Sequence, residues 1–313
     1  MTYRIAIGPS SFAEKEKQPL EMLKSAGMEI VANPFSRRLT EEETIAHLKG
    51  VDGLIAGLEP LNKRVLLSAL QLKAIARVGI GMDNVDLKTT AELGIKVSNT
   101  PDAPAAAVAE LTTSALLAIC RGLVSASTHM HAGVWNKAIG RSINGLKVLI
   151  IGYGRTGRRV TELLLHLGAT IMAADPYLQG SLPAGVVEVT LEDGLRQADV
   201  VSLHASGREM ILGQAQFSQM KNDVILLNSA RAELVEESAL VDALRKGKIT
   251  GAWFDVYWEE PYKGPLTSFE QVLLTPHIGT YTKQCRLQME TGAVKNLFKD
   301  LGIGSEQNNG LAA

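Results

Sequence analysis

The stretch Val148-Leu-Ile-Ile-Gly152-Tyr-Gly154-Arg-Thr-Gly157 decides how this chain is read. Four apolar residues run into a glycine-rich turn. The segment after it, Arg158-Arg-Val160-Thr-Glu-Leu163-Leu164-Leu165-His-Leu167, repeats its apolar residues at helical spacing and stops at Gly168. Thr170-Ile-Met-Ala-Ala174 then reads as a second strand, closed by Asp175. Strand, tight turn, helix and acid stand in the order of a dinucleotide-binding fingerprint. Gly152 makes the turn, Gly154 lets a pyrophosphate approach the backbone, and Gly157 lets helix pack on strand. The amides that open the helix point at the phosphates, where the helix dipole favours negative charge.

Asp175 lies about 20 residues beyond Gly154, the spacing at which an acid meets the ribose hydroxyls. A carboxylate there repels a 2′-phosphate. Pro176 and Tyr177 follow, with no Arg or Lys to receive one. The cofactor expected is NAD rather than NADP.

Working outward, the 313 residues suggest two domains. Lys and Arg number 32 and Asp and Glu 33, so no basic field points to a nucleic-acid partner. Cys120 and Cys285 are the only cysteines, which suggests a reducing, cytoplasmic setting and no disulfide framework. The opening Met1-Thr-Tyr-Arg-Ile5-Ala-Ile7-Gly8 is too short for a signal-peptide apolar region, and no apolar run approaching 18 residues is read, so no membrane span is expected.

Ahead of the fingerprint, strands are expected at Arg4–Gly8, Met28–Asn33, Gly53–Ala56, Lys73–Val78 and Lys96–Ser98. Helices fall between them, with Gly27 and Gly94 at helix stops. A long Ala- and Leu-rich helix follows over Ala103–Arg121, then an irregular segment, Ser125–Arg141. Beyond the fingerprint, strands are expected at Asp199–His204, Asp223–Asn228, Thr250–Asp255 and Val272–Thr275, and a last helix within Tyr281–Leu301. The fold class is α/β: two doubly wound parallel sheets, the first flavodoxin-like, the second a Rossmann NAD-binding domain. The first domain is expected to take residues 1–98 plus 282–313 and to bind substrate. The second takes 99–281, and the site is expected in the cleft between them. The polar tail Gly304–Gly310 is expected to be disordered.

Hydride transfer to a ketone needs a proton donor beside the carbonyl, and a histidine suits neutral pH. Of six histidines, His166 falls on the outer part of the fingerprint helix and His47 ends another helix. His129 and His131 share a strand-like spacing but have no third ligand nearby, so no metal is expected. His204 and His277 each follow an apolar strand, at the ends that face the ligand crevice in such sheets. Two further strand ends carry charge, Asn228-Ser-Ala-Arg231 and Phe254-Asp-Val-Tyr-Trp-Glu-Glu260. Arg231 can grip a carboxylate with two parallel hydrogen bonds, and a carboxylate beside His277 would hold it as a donor. These residues could equally form a structural ion pair, with His277 capping a strand.

From Gly53 to Thr282 the chain resembles the D-2-hydroxyacid dehydrogenases, most closely the phosphoglycerate dehydrogenase-like branch. The resemblance rests on Arg77-Val-Gly-Ile-Gly-Met-Asp-Asn-Val-Asp86, Asn99-Thr-Pro101, Val108-Ala-Glu-Leu111 and Gly133-Val-Trp135-Asn. It continues through the fingerprint, Asn228-Ser-Ala-Arg231, Asp255-Val, Glu260-Pro261 and Thr275-Pro-His277-Ile-Gly279. It implies reversible hydride transfer between NAD(H) and a small 2-hydroxy or 2-oxo acid. His277 is then the general acid/base and Glu260 its charged partner. Arg231 binds the substrate carboxylate and polarises the 2-oxo group, aided by Arg77 and the amides of Gly79 and Ile80. Arg155 and Thr156 cap the pyrophosphate, and Asp255 meets the nicotinamide carboxamide. His204, Ser229, Ala230, Arg231, His277 and Gly279 complete the cofactor's surroundings. The family implies a homodimer formed through the nucleotide domain with Trp135 in the contact; Trp135 reads equally well as buried within its own domain.

The chain departs from that family in places. Ala232 follows Arg231 where glycine is usual, and the loop after His204 is short and polar. Gly57-Leu-Glu59-Pro-Leu61 puts an acid where a phosphate-binding cation is expected, which argues against a phosphorylated substrate. No appended regulatory module is expected past residue 313. The same scaffold also resembles NAD-sensing transcriptional corepressors, which act by binding; turnover separates the two.

Overall fold

The computed structural model describes residues 2–303, so the tail Gly304–Gly310 lies outside the described residues. Two compact units divide them: residues 2–104 with 281–303, and residues 105–280.

The first unit carries β1 (Arg4–Ile7), α1 (Gln18–Ser25), β2 (Glu29–Val31), α2 (Glu41–His47), β3 (Gly53–Ala56), α3 (Lys63–Ser68), β4 (Ala74–Arg77), α4 (Leu87–Glu92) and β5 (Lys96–Ser98). Its sheet runs β2-β1-β3-β4-β5, all parallel. Side chains alternate across each strand. Ala6, Leu54, Ala56 and Ile75 therefore face one way, onto Leu48, Val65 and Leu66 of the α2 and α3 region. The other face presses Ile5 and Leu297 against Gly53, so the last helix of the chain covers it. Thr40 opens α2 by accepting from the Glu43 amide while Glu43 caps Thr40 in return.

The second unit begins within α5 (Pro104–Arg121). There follow α6 (Leu123–His131), β6 (Lys147–Ile151), α7 (Arg155–His166), β7 (Thr170–Ala174), β8 (Val186–Glu188), α8 (Leu191–Gln197), β9 (Val200–Leu203), α9 (Gln214–Gln219), β10 (Val224–Asn228), α10 (Glu237–Arg245), β11 (Ile249–Phe254) and β12 (Val272–Leu274). The final helix, α11 (Lys283–Asp300), returns to the first unit. The second sheet runs β12-β11-β10-β9-β6-β7-β8, again parallel throughout. Val148, Ile150, Ile225 and Trp253 pack under α5 and α7. Leu149, Ile151, Leu226 and Phe254 pack under α8, α9 and α10. Burial on both faces explains why these strands read as unbroken apolar runs. Strand order reverses between β6 and β9, the place where ligands enter such sheets.

Three sequence expectations need correction. The irregular segment begins as the helix α6, so His129 and His131, two apart on a helix, point away from each other rather than sharing a strand face. The edge strand β8 falls in a stretch too short and polar to announce itself. The α5 helix, at 18 residues, is long and apolar enough by composition to cross a membrane, contrary to the reading that no run comes near that length. Half of it is buried within the protein, with Ala109, Leu116 and Cys120 in the core beneath it.

Candidate active site

The fingerprint folds as its residue types require. Gly152 has φ of 90°, and a Cβ there would run into the backbone of His204 and Ala205. That contact ties the turn after β6 to the end of β9. At Gly157 a Cβ would strike the Gly152 carbonyl, so the helix sits directly on the turn. Gly154 differs, since none of the described residues approaches within 4 Å of where its Cβ would be. The open space lies at the start of the 12-residue α7, whose first turn carries no acid. Helix-opening amides, the positive end of the helix dipole and a bare backbone suit the pyrophosphate of a dinucleotide. Asp175 ends β7 with its carboxylate held by the amides of Tyr153, at 2.7 Å, and Tyr177, at 2.8 Å. The residues present fit NAD.

At the end of β10, Asn228 is fully buried and shapes the following turn. Its Oδ1 accepts from the Ala230 amide and its Nδ2 donates to the Arg231 carbonyl, at 3.0 and 2.9 Å. Arg231 is thereby placed in extended backbone just past the strand, with Nη1 donating to the Ala230 carbonyl. Ser229 lies 3.4 Å from Thr112 of α5.

His277 sits beyond β12 with φ of 54°, a left-handed conformation unusual for a residue with a side chain. Its Nδ1 lies 3.0 and 3.1 Å from the two carboxylate oxygens of Glu260. The Tyr257 amide donates to Glu260 Oε1 at 3.3 Å. Nδ1 donating to a carboxylate leaves Nε2 to give or take a proton.

Asp255 is buried beneath this pair. Its Oδ1 accepts from Thr275 Oγ1 at 2.6 Å and from the Ile278 amide at 2.8 Å, and its Oδ2 from the Gly279 amide at 2.7 Å. Burial pushes its carboxyl up, while the three donated hydrogen bonds and His277 pull the other way. Oδ2, with one donor, retains a lone pair for another.

His204 follows β9 with Nε2 2.8 Å from Ser202 Oγ; its Nδ1 is enclosed with no hydrogen-bond partner among the described residues. Burial pushes its imidazole down to about 4. A ring that stays neutral at pH 7 is poorly suited to give a proton to a ketone.

The chain is similar over residues 113–279 to the model of the NAD-binding domain of D-isomer specific 2-hydroxyacid dehydrogenases. It is 33% identical over 279 residues to the hydroxypyruvate reductase of Thermotoga maritima, covering 86% of this chain and 90% of that one. The chain belongs to the D-isomer specific 2-hydroxyacid dehydrogenase family. It is an NAD-dependent oxidoreductase acting on 2-hydroxy acids. It is also 34% identical over 275 residues to the D-3-phosphoglycerate dehydrogenase of Methanocaldococcus jannaschii, covering 84% of this chain but 52% of that relative. A solved structure from Thermus thermophilus superposes with a TM-score of 0.88 at 32% identity, covering 96% of this chain and 97% of that one.

In the first unit, Arg77 ends β4 and donates to the Val78 carbonyl. The Gly79 amide, expected to meet substrate, is engaged by Thr100 Oγ1 at 2.8 Å. Ile80 receives Asn99 Nδ2 on its carbonyl, which leaves its amide as the donor of the two. Glu59 turns inward. It is 2% exposed, and both carboxylate oxygens take the Gly57 amide, at 2.9 and 3.0 Å. Burial pushes its carboxyl up, opposed by its backbone hydrogen bonds and by Arg77 and Arg38. Trp135 is 75% exposed, so the reading that buries it within its own domain is overturned.

Sequence reasoning passed over Thr100, Thr275 and Trp253. Thr275 stood inside a quoted motif but its hydroxyl's partners are set by the tertiary fold. Trp253 read as one more apolar strand residue.

Proposed function

We propose that the chain reduces a small, unphosphorylated 2-oxo acid of hydroxypyruvate size with NADH, and runs the reverse oxidation, using His277 as general acid/base. The observation that carries the reading is the bond between His277 Nδ1 and the Glu260 carboxylate, which fixes Nε2 as the proton-transfer atom. Bound NAD(H) supplies or accepts the hydride at the substrate's C2. The protein handles the proton: His277 enters reduction as imidazolium, gives the Nε2 proton to the developing alkoxide, and is left as neutral imidazole. Glu260 steadies the charged form and holds the ring's orientation. Arg231 grips the substrate carboxylate. Arg155, Thr156 and the opening amides of α7 hold the pyrophosphate, and Asp175 the ribose.

The absence of phosphate in the substrate is supported by Glu59, whose buried acid occupies the loop after β3. Assay of a panel of 2-oxo acids with NADH tests the reading: hydroxypyruvate, glyoxylate, pyruvate, phosphohydroxypyruvate and bulkier acids. Hydroxypyruvate or glyoxylate should lead in kcat/KM, and His277→Ala should lose on the order of 10²–10⁴ of it. A clear preference for phosphohydroxypyruvate overturns the substrate class, and a fully active His277→Ala overturns the site.

We infer further that the protein works as a cytoplasmic homodimer. The exposed Val134, Trp135 and Ile139 support a second copy as the cover for that segment, and two buried cysteines, both thiols, support a reducing compartment. A monomer by light scattering at micromolar concentration would overturn the dimer.

A further inference from the structure

Behind His277 runs a chain of hydrogen bonds with a fixed direction. Trp253 on β11 is fully buried, and its indole Nε1 lies 2.9 Å from Thr275 Oγ1. An indole N–H only donates, so the threonine oxygen accepts from it. The single hydroxyl proton of Thr275 then goes to Asp255 Oδ1, 2.6 Å away. The Asp255 carboxylate in turn accepts the amides of Ile278 and Gly279. Those are the two residues that follow His277. The Thr275 carbonyl receives the His277 amide at 2.9 Å and the Tyr257 hydroxyl at 2.9 Å. The amides of the left-handed His277 and of the two residues after it are thus all tied to Thr275 or Asp255.

A non-glycine residue keeps a left-handed backbone only where its surroundings impose it. Here the imposing group is Asp255, and the side-chain donor that helps orient Asp255 from outside the turn is the hydroxyl of Thr275. Gly279 fits the same arrangement, because a Cβ there would lie 3.0 Å from Asp255 Oδ2.

We propose that Trp253 and Thr275 are positioning residues for the reaction, acting through Asp255 to hold His277 in its left-handed turn. The inference rests on His277 being the acid/base. Without the Thr275 hydroxyl, Trp253 Nε1 and Asp255 Oδ1 each lose a partner, and the carboxylate is held only by the Ile278 and Gly279 amides of the turn it is meant to fix. The His277 turn then samples other conformations, and Nε2 spends less time where a proton can pass. Substrate and cofactor contacts made by other residues are left in place. The loss therefore falls on kcat rather than on KM, and NADH binding changes only as far as Asp255 shifts from the nicotinamide carboxamide.

The test uses the full chain and three variants. Thr275→Val keeps the shape and removes both hydrogen bonds, Thr275→Ser restores the hydroxyl, and Trp253→Phe removes only the indole donor. Thr275→Val should lower kcat on the best 2-oxo acid by on the order of tenfold to a hundredfold, the scale of a small misplacement of a reacting group. Its KM for the 2-oxo acid should stay within about twofold of the parent on this argument. Thr275→Ser should recover most of the loss, and Trp253→Phe should fall between. The His277 imidazole nitrogen signals in an NMR spectrum should broaden or shift in Thr275→Val and return in Thr275→Ser. Unchanged kcat in Thr275→Val, or equal losses in Val and Ser, overturns the proposal. If Thr275→Val does not fold, Trp253→Phe decides, and parental kcat there overturns it. His277→Ala separates the two levels: if that variant stays active, the acid/base assignment is what has failed.

Discussion

His277 Nδ1 lies 3.0 Å from Glu260 Oε1 and 3.1 Å from Oε2, so one ring nitrogen spans both carboxylate oxygens. The side chains come from different loops, one after β11 and one after β12, and remain 31% and 44% exposed for Glu260 and His277. The pair is therefore strong enough to orient the ring but reachable by solvent, as a group that exchanges protons must be.

Glu260→Gln removes the charge and keeps the shape. A glutamine oxygen still accepts from Nδ1 but no longer stabilises imidazolium. Reduction needs imidazolium and oxidation needs imidazole, so the two directions should respond differently. At neutral pH the reductive kcat should fall about three- to tenfold, a modest loss because solvent screens the pair, while the oxidative rate falls less. Initial rates in both directions check this. An equal loss in both would mean that Glu260 acts on geometry alone.

Arg231 is held by Asn228, whose amide nitrogen donates to its carbonyl, so substitution of the side chain leaves the turn intact. Arg231→Ala should cost about 2–5 kcal/mol in transition-state binding, the range for removing one partner of a buried charge pair. Arg231→Lys should recover only part, because an ammonium cannot make two parallel bonds to a carboxylate. Near-parental kcat/KM in Arg231→Ala would remove it from the substrate site.

Much of this was legible in the sequence because local rules and tertiary context agree. The parallel strands are buried on both faces and read as apolar runs, and β3 and β5 fall at their expected bounds. Gly157 showed its purpose because it is crowded by the Gly152 carbonyl, backbone that the fingerprint itself supplies, whereas the crowding at Gly152 comes from His204 and Ala205 beyond β9. What stayed hidden was contact between distant segments. Gly79 looked like a substrate donor until Thr100, 21 residues on, took its amide. Glu59 showed its charge but not its direction, since nothing local says that a loop acid will fold back on the Gly57 amide. The α6 helix was missed because its apolar residues remain exposed and give no periodic stripe.

Cofactor choice rests on Asp175, whose carboxylate is fixed by the Tyr153 and Tyr177 amides and cannot swing aside from a 2′-phosphate. NADH should be strongly preferred over NADPH, and Asp175→Ala should narrow the gap by losing NADH affinity. Equal kcat/KM with the two cofactors in the parent would contradict this.

His204 makes a prediction about stability that is separate from turnover. Its Nδ1 is enclosed, and burial lowers its imidazole from 6.5 to about 4. Above pH 6.5 the ring is neutral in both the folded and the unfolded chain and contributes no pH dependence. Between pH 6.5 and 4 the unfolded chain takes up a proton there that the folded chain refuses, so stability falls as pH falls through that window. From pH 6.5 to 5 the effect should be on the order of 2 kcal/mol. Buried acids work in the opposite sense: Glu59, Asp255 and Glu290 are pushed up by burial, so their folded forms bind protons first and favour folding as pH drops. The net slope of the parent mixes both, and a variant is needed to isolate His204. His204→Gln keeps a polar side chain that cannot charge. Its urea midpoint should lie below that of the parent at about pH 7.5, where an amide fits the enclosed site less well, and the difference should shrink as pH is lowered to about 5. Parallel midpoints across that range would show that His204 titrates alike in both states, and that its ring is open to water in solution.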